Sequence, residues 1–152
     1  MKWQNSDDDI NYSGMEVFGR YTYRDAAGLR VAYSYIDNDY SMGGEKNYLS
    51  YVPRHKVVGG IFGTIYNFYA GVNGEYVRTI YQEYPKFKLD NYFILNAKLA
   101  YTFLQRYQVF VNCNNITDRQ YTTFIRTNKT GTVYGDYDVP GFNMLAGLTV
   151  EF

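Results

Sequence analysis

The chain has 152 residues, a length that suits one domain, and its 15 basic and 15 acidic side chains cancel to a net charge of zero. That balance leaves no electrostatic case for nucleic acid as a partner. A single cysteine, Cys113, excludes an intrachain disulfide and any multi-cysteine metal site.

Residues 1–12 are polar and acidic and read as loop, with none of the apolar run a secretory signal requires. From Gly14 the chain alternates. Met15, Val17, Gly19, Tyr21 and Tyr23 oppose Glu16, Phe18, Arg20, Thr22 and Arg24. A period of two is the signature of a strand with two unlike faces. Residues 25–28 read as a turn. A second strand sets Leu29, Val31, Tyr33 and Tyr35 against Arg30, Ala32, Ser34, Ile36 and Asn38, and a polar loop follows over residues 41–53. His55, the only histidine, sits in the basic run Pro53-Arg54-His55-Lys56 at the start of the next strand and is read as structural.

Residues 57–74 hold 18 positions without a charge and include the small-residue pattern Gly59-Gly60-Ile61-Phe62-Gly63. A membrane-spanning helix is the tempting reading. Five glycines, two asparagines and a remainder rich in β-branched and aromatic residues favour strands instead. The run divides at Asn67 into strands over about 56–66 and 68–82. No Gly-Lys-Ser/Thr follows the glycines, so they are no phosphate-binding loop.

After a loop over residues 83–91, the fifth strand places Phe93, Leu95, Ala97, Leu99, Tyr101 and Phe103 on one face. Asn96 and Lys98 lie on the other, which requires a wet side. Residues 104–106 are a tight turn into a sixth strand, in which Tyr107, Val109, Val111 and Cys113 oppose Gln108, Phe110, Asn112 and Asn114. Cys113 thus reads as a small buried or lipid-facing side chain. Residues 117–142 form a long connection that extends the two flanking strands before Pro140-Gly141 turns the chain. The last strand, 143–152, alternates to its end. Met144, Ala146, Leu148, Val150 and Phe152 share the apolar face, and Glu151 lies on the other.

The seven expected strands are joined by connections that alternate short and long. In an up-and-down antiparallel sheet, all short turns then lie at one end and all long loops at the other. That asymmetry is the pattern of outer-membrane barrels, whose periplasmic turns are short and extracellular loops long. Ten residues at ~3.3 Å, tilted ~45°, cover about 23 Å, close to the apolar band of such barrels. Aromatic content of 20%, with 19 Tyr, suits strands and an apolar–water boundary. A mean hydropathy of −0.41 is no objection, because only alternate residues would face lipid.

The expected fold is therefore all-β: an antiparallel, up-and-down transmembrane β-barrel segment of about seven strands. An odd count cannot close such a barrel with antiparallel neighbours throughout, so the chain reads as the C-terminal segment of a larger one, with Met1 an internal or misplaced start. The lumen-facing candidates are Glu16, Arg20, Arg24, Arg30, Glu75, Asn96, Lys98, Asn112, Asn114 and Glu151. A soluble barrel with the apolar rows turned inward, as in a lipid-binding protein, explains the alternation equally well but not the one-sided loops. No spaced nucleophile–base constellation supports an enzyme, and no cofactor is indicated.

Three local patterns carry a family resemblance. Gly14-Met15-Glu16-Val17 resembles the Gly-Val-Glu strand opening of TonB-dependent outer-membrane receptors. Val52-Pro53-Arg54-His55 is similar to their Val-Pro-Arg-His segment. Asn112-Cys113-Asn114-Asn115-Ile116-Thr117-Asp118-Arg119-Gln120-Tyr121 resembles their Asn-Asn-Leu-Phe-Asp-Lys-x-Tyr segment, followed by Pro140-Gly141-Phe142 and the terminal strand. The family more often has Leu-Phe where Ile116-Thr117 stand, and Arg in place of Phe142. The resemblance covers nearly the whole chain and about the last third of a roughly 22-stranded barrel.

It implies a receptor that binds a scarce solute such as an iron–siderophore, cobalamin or other metal chelate. An upstream plug and the energy-coupling protein TonB would complete the device. The alternative is a passive pore or structural barrel sharing the same wall. Outer-membrane lipids and the barrel assembly machinery are the other implied partners, with Phe152 resembling the terminal aromatic that the machinery reads. Tyr40, Tyr48, Tyr51, Tyr81, Tyr84, Tyr134 and Tyr137 are extracellular-loop ligand candidates that serve equally as an interfacial girdle.

Overall fold

The computed structural model describes residues 10–42, 45–48, 52–82, 87–127 and 133–151. It contains eleven strands: β1 (Ile10–Tyr23), β2 (Ala27–Met42), β3 (Glu45–Tyr48), β4 (Pro53–Ile65), β5 (Phe68–Gln82), β6 (Phe87–Leu89), β7 (Tyr92–Phe103), β8 (Tyr107–Asn114), β9 (Thr122–Thr127), β10 (Val133–Asp138) and β11 (Asn143–Val150). Seven of them form one antiparallel path, β1-β2-β4-β5-β7-β8-β11. These are the seven strands expected from the alternation. The sheet is not closed: β1 and β11 are its two edges. No helix among the described residues is long and apolar enough to cross a membrane.

The pairing register keeps the two faces continuous across the whole sheet. In antiparallel pairs, directly opposed residues point to the same side. One row runs Tyr21, Leu29, Ile61, Val72, Ala97, Cys113 and Met144. A parallel row runs Val17, Tyr33, Val57, Tyr76 and Phe93. On the opposite face, Arg20 is followed by Arg30, Gly60, Asn73 and Asn96. One side of the sheet is therefore predominantly apolar, with His55 and Arg78 joining it toward the long-loop end, and the other is mixed, its charged and amide side chains interleaved with Phe18, Val58 and Ile94.

The sheet is a single layer without a core of its own. Among the described residues the buried apolar side chains are Val77, Leu89 and Ala100. On the apolar face, Ile61 is 66% exposed and Leu148 60%. A face of this extent requires an apolar medium rather than water.

The connections at one end are tight. Residues 24–26, 66–67 and 104–106 reverse the chain, with Arg24, Asp25, Tyr66, Leu104 and Gln105 at positive φ. The first turn corrects the expectation of a turn over residues 25–28. Two left-handed residues accomplish the reversal at Arg24 and Asp25, so Arg24 belongs to the turn, not to the polar face of β1. Gly28 is already in β2. A side chain there would strike the Phe62 ring, at 2.6 Å, and the Tyr21 carbonyl, at 2.7 Å, so the glycine makes room for Phe62 to lie across the sheet.

At the other end the long connections carry strands of their own. β3 pairs antiparallel with the end of β2, and β6 with the end of β5. Among the described residues, β9 and β10 pair with each other alone, in a separate two-stranded sheet. The expectation that residues 117–142 prolong the two flanking strands is thereby corrected. The cause lies in residues 115–119, where Asn115 and Asp118 adopt left-handed backbone and the chain leaves the sheet before β9 begins.

Candidate binding face and rim

The polar face has a recess of about 340 Å³ spanning five strands. Arg20 on β1, Arg30 on β2 and Lys98 on β7 reach it, together with Phe62, Tyr69 and Asn73. Its floor is made by Gly60 and Gly71, which present no side chain. Arg20 lies over the Phe62 ring, 5.7 Å from its centroid, and Lys98 lies 5.5 Å from the centroid of Phe110. Aromatic faces support cations in this way without neutralising them.

Arg20 and Arg30 are directly opposed across the β1–β2 pair. Like charges in that position repel. The ion pairs found among the described residues are Arg54–Asp37 and Lys56–Glu75, the latter at 3.0 Å. Neither involves the three cations of the recess. Glu16 is on the same face of β1 but four residues from Arg20, about 13 Å along an extended strand. Asn112 is opposite Lys98 in the row beside the recess, and Asn114 donates to Asn143 at 2.9 Å where β8 meets β11. Glu151 follows β11, its N–H bonded to the Arg106 carbonyl at 2.9 Å.

The rim at the long-loop end is held by two aromatic contacts and one buried amide. Tyr33 and His55 share a 2.9 Å hydrogen bond between the phenol oxygen and Nδ1, and Tyr35 packs on the same imidazole. The only histidine is thus a rim contact between β2 and β4. Tyr121 stacks on Tyr92 with ring centroids 3.8 Å apart. Burial first, and then the Glu75 carboxylate, push the Tyr121 phenol above its ordinary pKa.

Asn115, at φ 49° and 4% exposed, is the centre of the turn after β8. Its Nδ2 donates to the carbonyls of Arg119, at 2.9 Å, and Pro140, at 3.2 Å. Its Oδ1 accepts from the Arg119 N–H and from the Thr117 hydroxyl, both at 3.1 Å. Its own N–H donates to Asn96 Oδ1 at 2.9 Å, which engages another of the polar-face candidates. Asp118, also left-handed, accepts from the Phe142 N–H at 2.8 Å. In the sequence Asn115 stands out only as one position of a longer motif. The readable signal was an asparagine followed within three residues by aspartate, both types that tolerate left-handed backbone.

Of the loop tyrosines, Tyr51 and Tyr84 lie outside the described residues, as does Phe152. Tyr40, Tyr48, Tyr81, Tyr134 and Tyr137 are on strands, and only their backbone is described. Among the described residues no cluster of histidine, cysteine and carboxylates has the makings of a metal site.

A family model described as TonB dependent receptor-like, beta-barrel matches residues 1–116. The chain belongs to that family. No curated protein matches it in sequence. Solved structures of TonB-dependent receptors share its fold. The ferric yersiniabactin uptake receptor FyuA from Yersinia pestis superposes with a TM-score of 0.82 at 17% identity, covering 94% of this chain and 24% of its own. The ferric-catecholate import receptor Fiu from K12 E. coli gives 0.78 at 18%, covering 98% and 23%. The siderophore receptor PiuA from Acinetobacter baumannii gives 0.74 at 15%, covering 93% and 22%. The chain thus spans less than a quarter of the length of these receptors. TonB-dependent receptors are proteins of the Gram-negative outer membrane, which supplies the apolar medium that the exposed face requires.

Proposed function

We propose that this chain is barrel wall and extracellular rim of an outer-membrane receptor that takes up a scarce solute, such as a metal chelate, with energy passed on by TonB. The observation that carries the reading is the family match over residues 1–116. The three neighbours described above are named as siderophore or ferric-chelate receptors, which supports a metal chelate as the class of solute.

In this reading residues 1–152 are the C-terminal part of the barrel domain. The apolar row faces lipid, and Glu16, Arg20, Arg30, Glu75, Asn96, Lys98, Asn112, Asn114 and Glu151 face the lumen. The loop tyrosines at 40, 48, 51, 84, 134 and 137 meet the solute outside, and Phe152 is read by the assembly machinery. The role is binding and passage rather than catalysis, and His55 serves as a rim contact.

Deletion of the gene in its host tests the reading. Growth under iron, copper or cobalamin limitation, and uptake of the corresponding labelled chelates, should fall for one solute class and depend on TonB. Uptake that persists without TonB would place the protein among passive pores.

A further inference from the structure

We propose that the β9–β10 hairpin is a strap latched against the lumen side of the wall at the long-loop end, and that it opens by lifting as one unit while β3 and β6 stay on the wall. The inference rests on reading the polar face as the barrel interior and adds a moving part to its mouth.

Val77, 1% exposed, and Leu89 form a buried apolar cluster, and Tyr92 and Ile125 pack against it. Val77 follows Asn73 and Glu75 on β5 in steps of two, and Tyr92 lies opposite Val77 in register. Both side chains therefore point to the polar face. Ile125 belongs to β9, and Tyr121, just before that strand, stacks on Tyr92 with ring centroids 3.8 Å apart. The segment after β8 thus folds inward across β7 and β5. A patch of wall that would otherwise face the lumen at its mouth is kept dry by this chain's own residues.

The long connections differ in how they are held. β3 is laddered to β2 and β6 to β5, so moving either one breaks main-chain hydrogen bonds with the wall. β9 and β10 are laddered to each other, and among the described residues neither pairs with a strand of the wall. The base of the hairpin is closed by the Val139 N–H, which donates to the Tyr121 carbonyl at 3.0 Å, and by the Thr122 hydroxyl, which donates to Asp138 at 2.6 Å. The ladder and these two bonds travel with the hairpin when it lifts. What separates is the packing of Tyr121 on Tyr92 and of Ile125 on Val77 and Leu89, and a segment held in this way opens ahead of the laddered wall. The root stays in place. The Ile116 N–H donates to the Leu95 carbonyl at 2.7 Å, and the Asn115 amide ties Arg119 to Pro140. The bend on opening therefore falls between Arg119 and Tyr121 on one leg and between Val139 and Pro140 on the other.

The test uses the full-length protein, in intact cells of its host and purified in detergent. Cys113→Ser removes the native thiol, and Val77→Cys, or Leu89→Cys as a second position, supplies a reporter beneath the strap. Membrane-impermeant fluorescein maleimide is added and the rate of labelling is followed. Slow labelling that runs to completion is expected, because the reporter is reached when the strap lifts. The double variant Y121A/I125A removes the latch and should speed labelling roughly tenfold or more. It should leave the β9–β10 amides protected from hydrogen exchange, because the hairpin lifts intact. An Ala100→Cys reporter, buried on the same face away from the rim, should change by less than about twofold. Heat-modifiable migration in gels verifies folding of every variant.

Equal rates with and without Tyr121 and Ile125 would overturn the latch. A folded protein whose reporters never label would overturn the opening, and loss of exchange protection throughout β9 and β10 in Y121A/I125A would overturn the lift as a unit. The receptor reading fails separately. Acceleration in detergent but not from outside intact cells keeps the strap and removes the outward-facing mouth. Acceleration in both, in a protein that supports no TonB-dependent uptake, keeps the strap and removes the receptor.

Discussion

The side-chain amide of Asn115 holds the main chain of Arg119 from both sides, donating to its carbonyl at 2.9 Å and accepting from its N–H at 3.1 Å. The same amide reaches Pro140, 25 residues on, so one buried side chain joins the exit of β8 to the approach to β11. Replacement by Ala strands four main-chain and side-chain partners and strains the left-handed backbone. Loss of about 1–3 kcal/mol is expected for the unsatisfied buried groups. Asn115→Gly relieves the strain and not the lost bonds, so it should recover only part of the deficit. Urea unfolding in detergent, followed by tryptophan fluorescence or gel migration, measures both.

Gly141 and Asp118 form a second test. A methyl group at residue 141 would fall on the Asp118 carboxylate and displace it from the Phe142 N–H. Gly141→Ala and Asp118→Ala should therefore cost similar amounts, about 0.5–1.5 kcal/mol for one hydrogen bond. The double variant should cost little more than either alone, because both remove the same contact. Additive losses in a double-mutant cycle would contradict the shared mechanism.

The assignment of the two faces predicts opposite tolerance at neighbouring strands. Ala97 lies in the apolar row near the middle of β7, and Asn73, on the adjacent β5, lies in the polar row. Lysine at 97 should cost about 2–4 kcal/mol, the range for a lipid-facing cation near the midplane, and reduce the amount assembled in the outer membrane. Lysine at 73 should assemble at close to the native level. Equal tolerance of both would refute the assignment.

Alkali should weaken the Tyr121 contact at the rim. Folding raises the Tyr121 phenol above 10.0, chiefly by burial. The stabilisation linked to that shift is complete below the unfolded value and is lost as pH rises through the folded one. Phenolate absorbance during an alkaline titration should show Tyr121 ionising late, and Glu75→Gln should bring its ionisation earlier. An unchanged titration in that variant would remove Glu75 as a cause.

The sheet was legible because strand sidedness is a local property. Met15 to Tyr23 and Phe93 to Phe103 announce their faces residue by residue, and the register then joins those faces across most of the sheet. What could not be read was anything requiring register itself. Arg20 and Lys98 are 78 positions apart, and nothing in either strand says they border the same recess. The β9–β10 hairpin was missed for another reason. Its strands are short and mix charged residues with apolar ones, so their pattern resembles loop. The turn lies at residues 24–26 rather than 25–28 because Arg24 and Asp25 adopt left-handed backbone, which neither residue type announces.

The continuity of the apolar rows from β1 to β11 also limits how such a wall can change over generations. A single inserted residue that no bulge absorbs would turn the rest of that strand to the wrong side, placing Arg30 or Lys98 in lipid and Leu29 or Leu99 in water. Length within the strands can therefore drift in steps of two, or by one where a β-bulge absorbs the extra residue. The long-loop end carries no such parity rule, and it is there that related barrels are free to diverge by any number of residues.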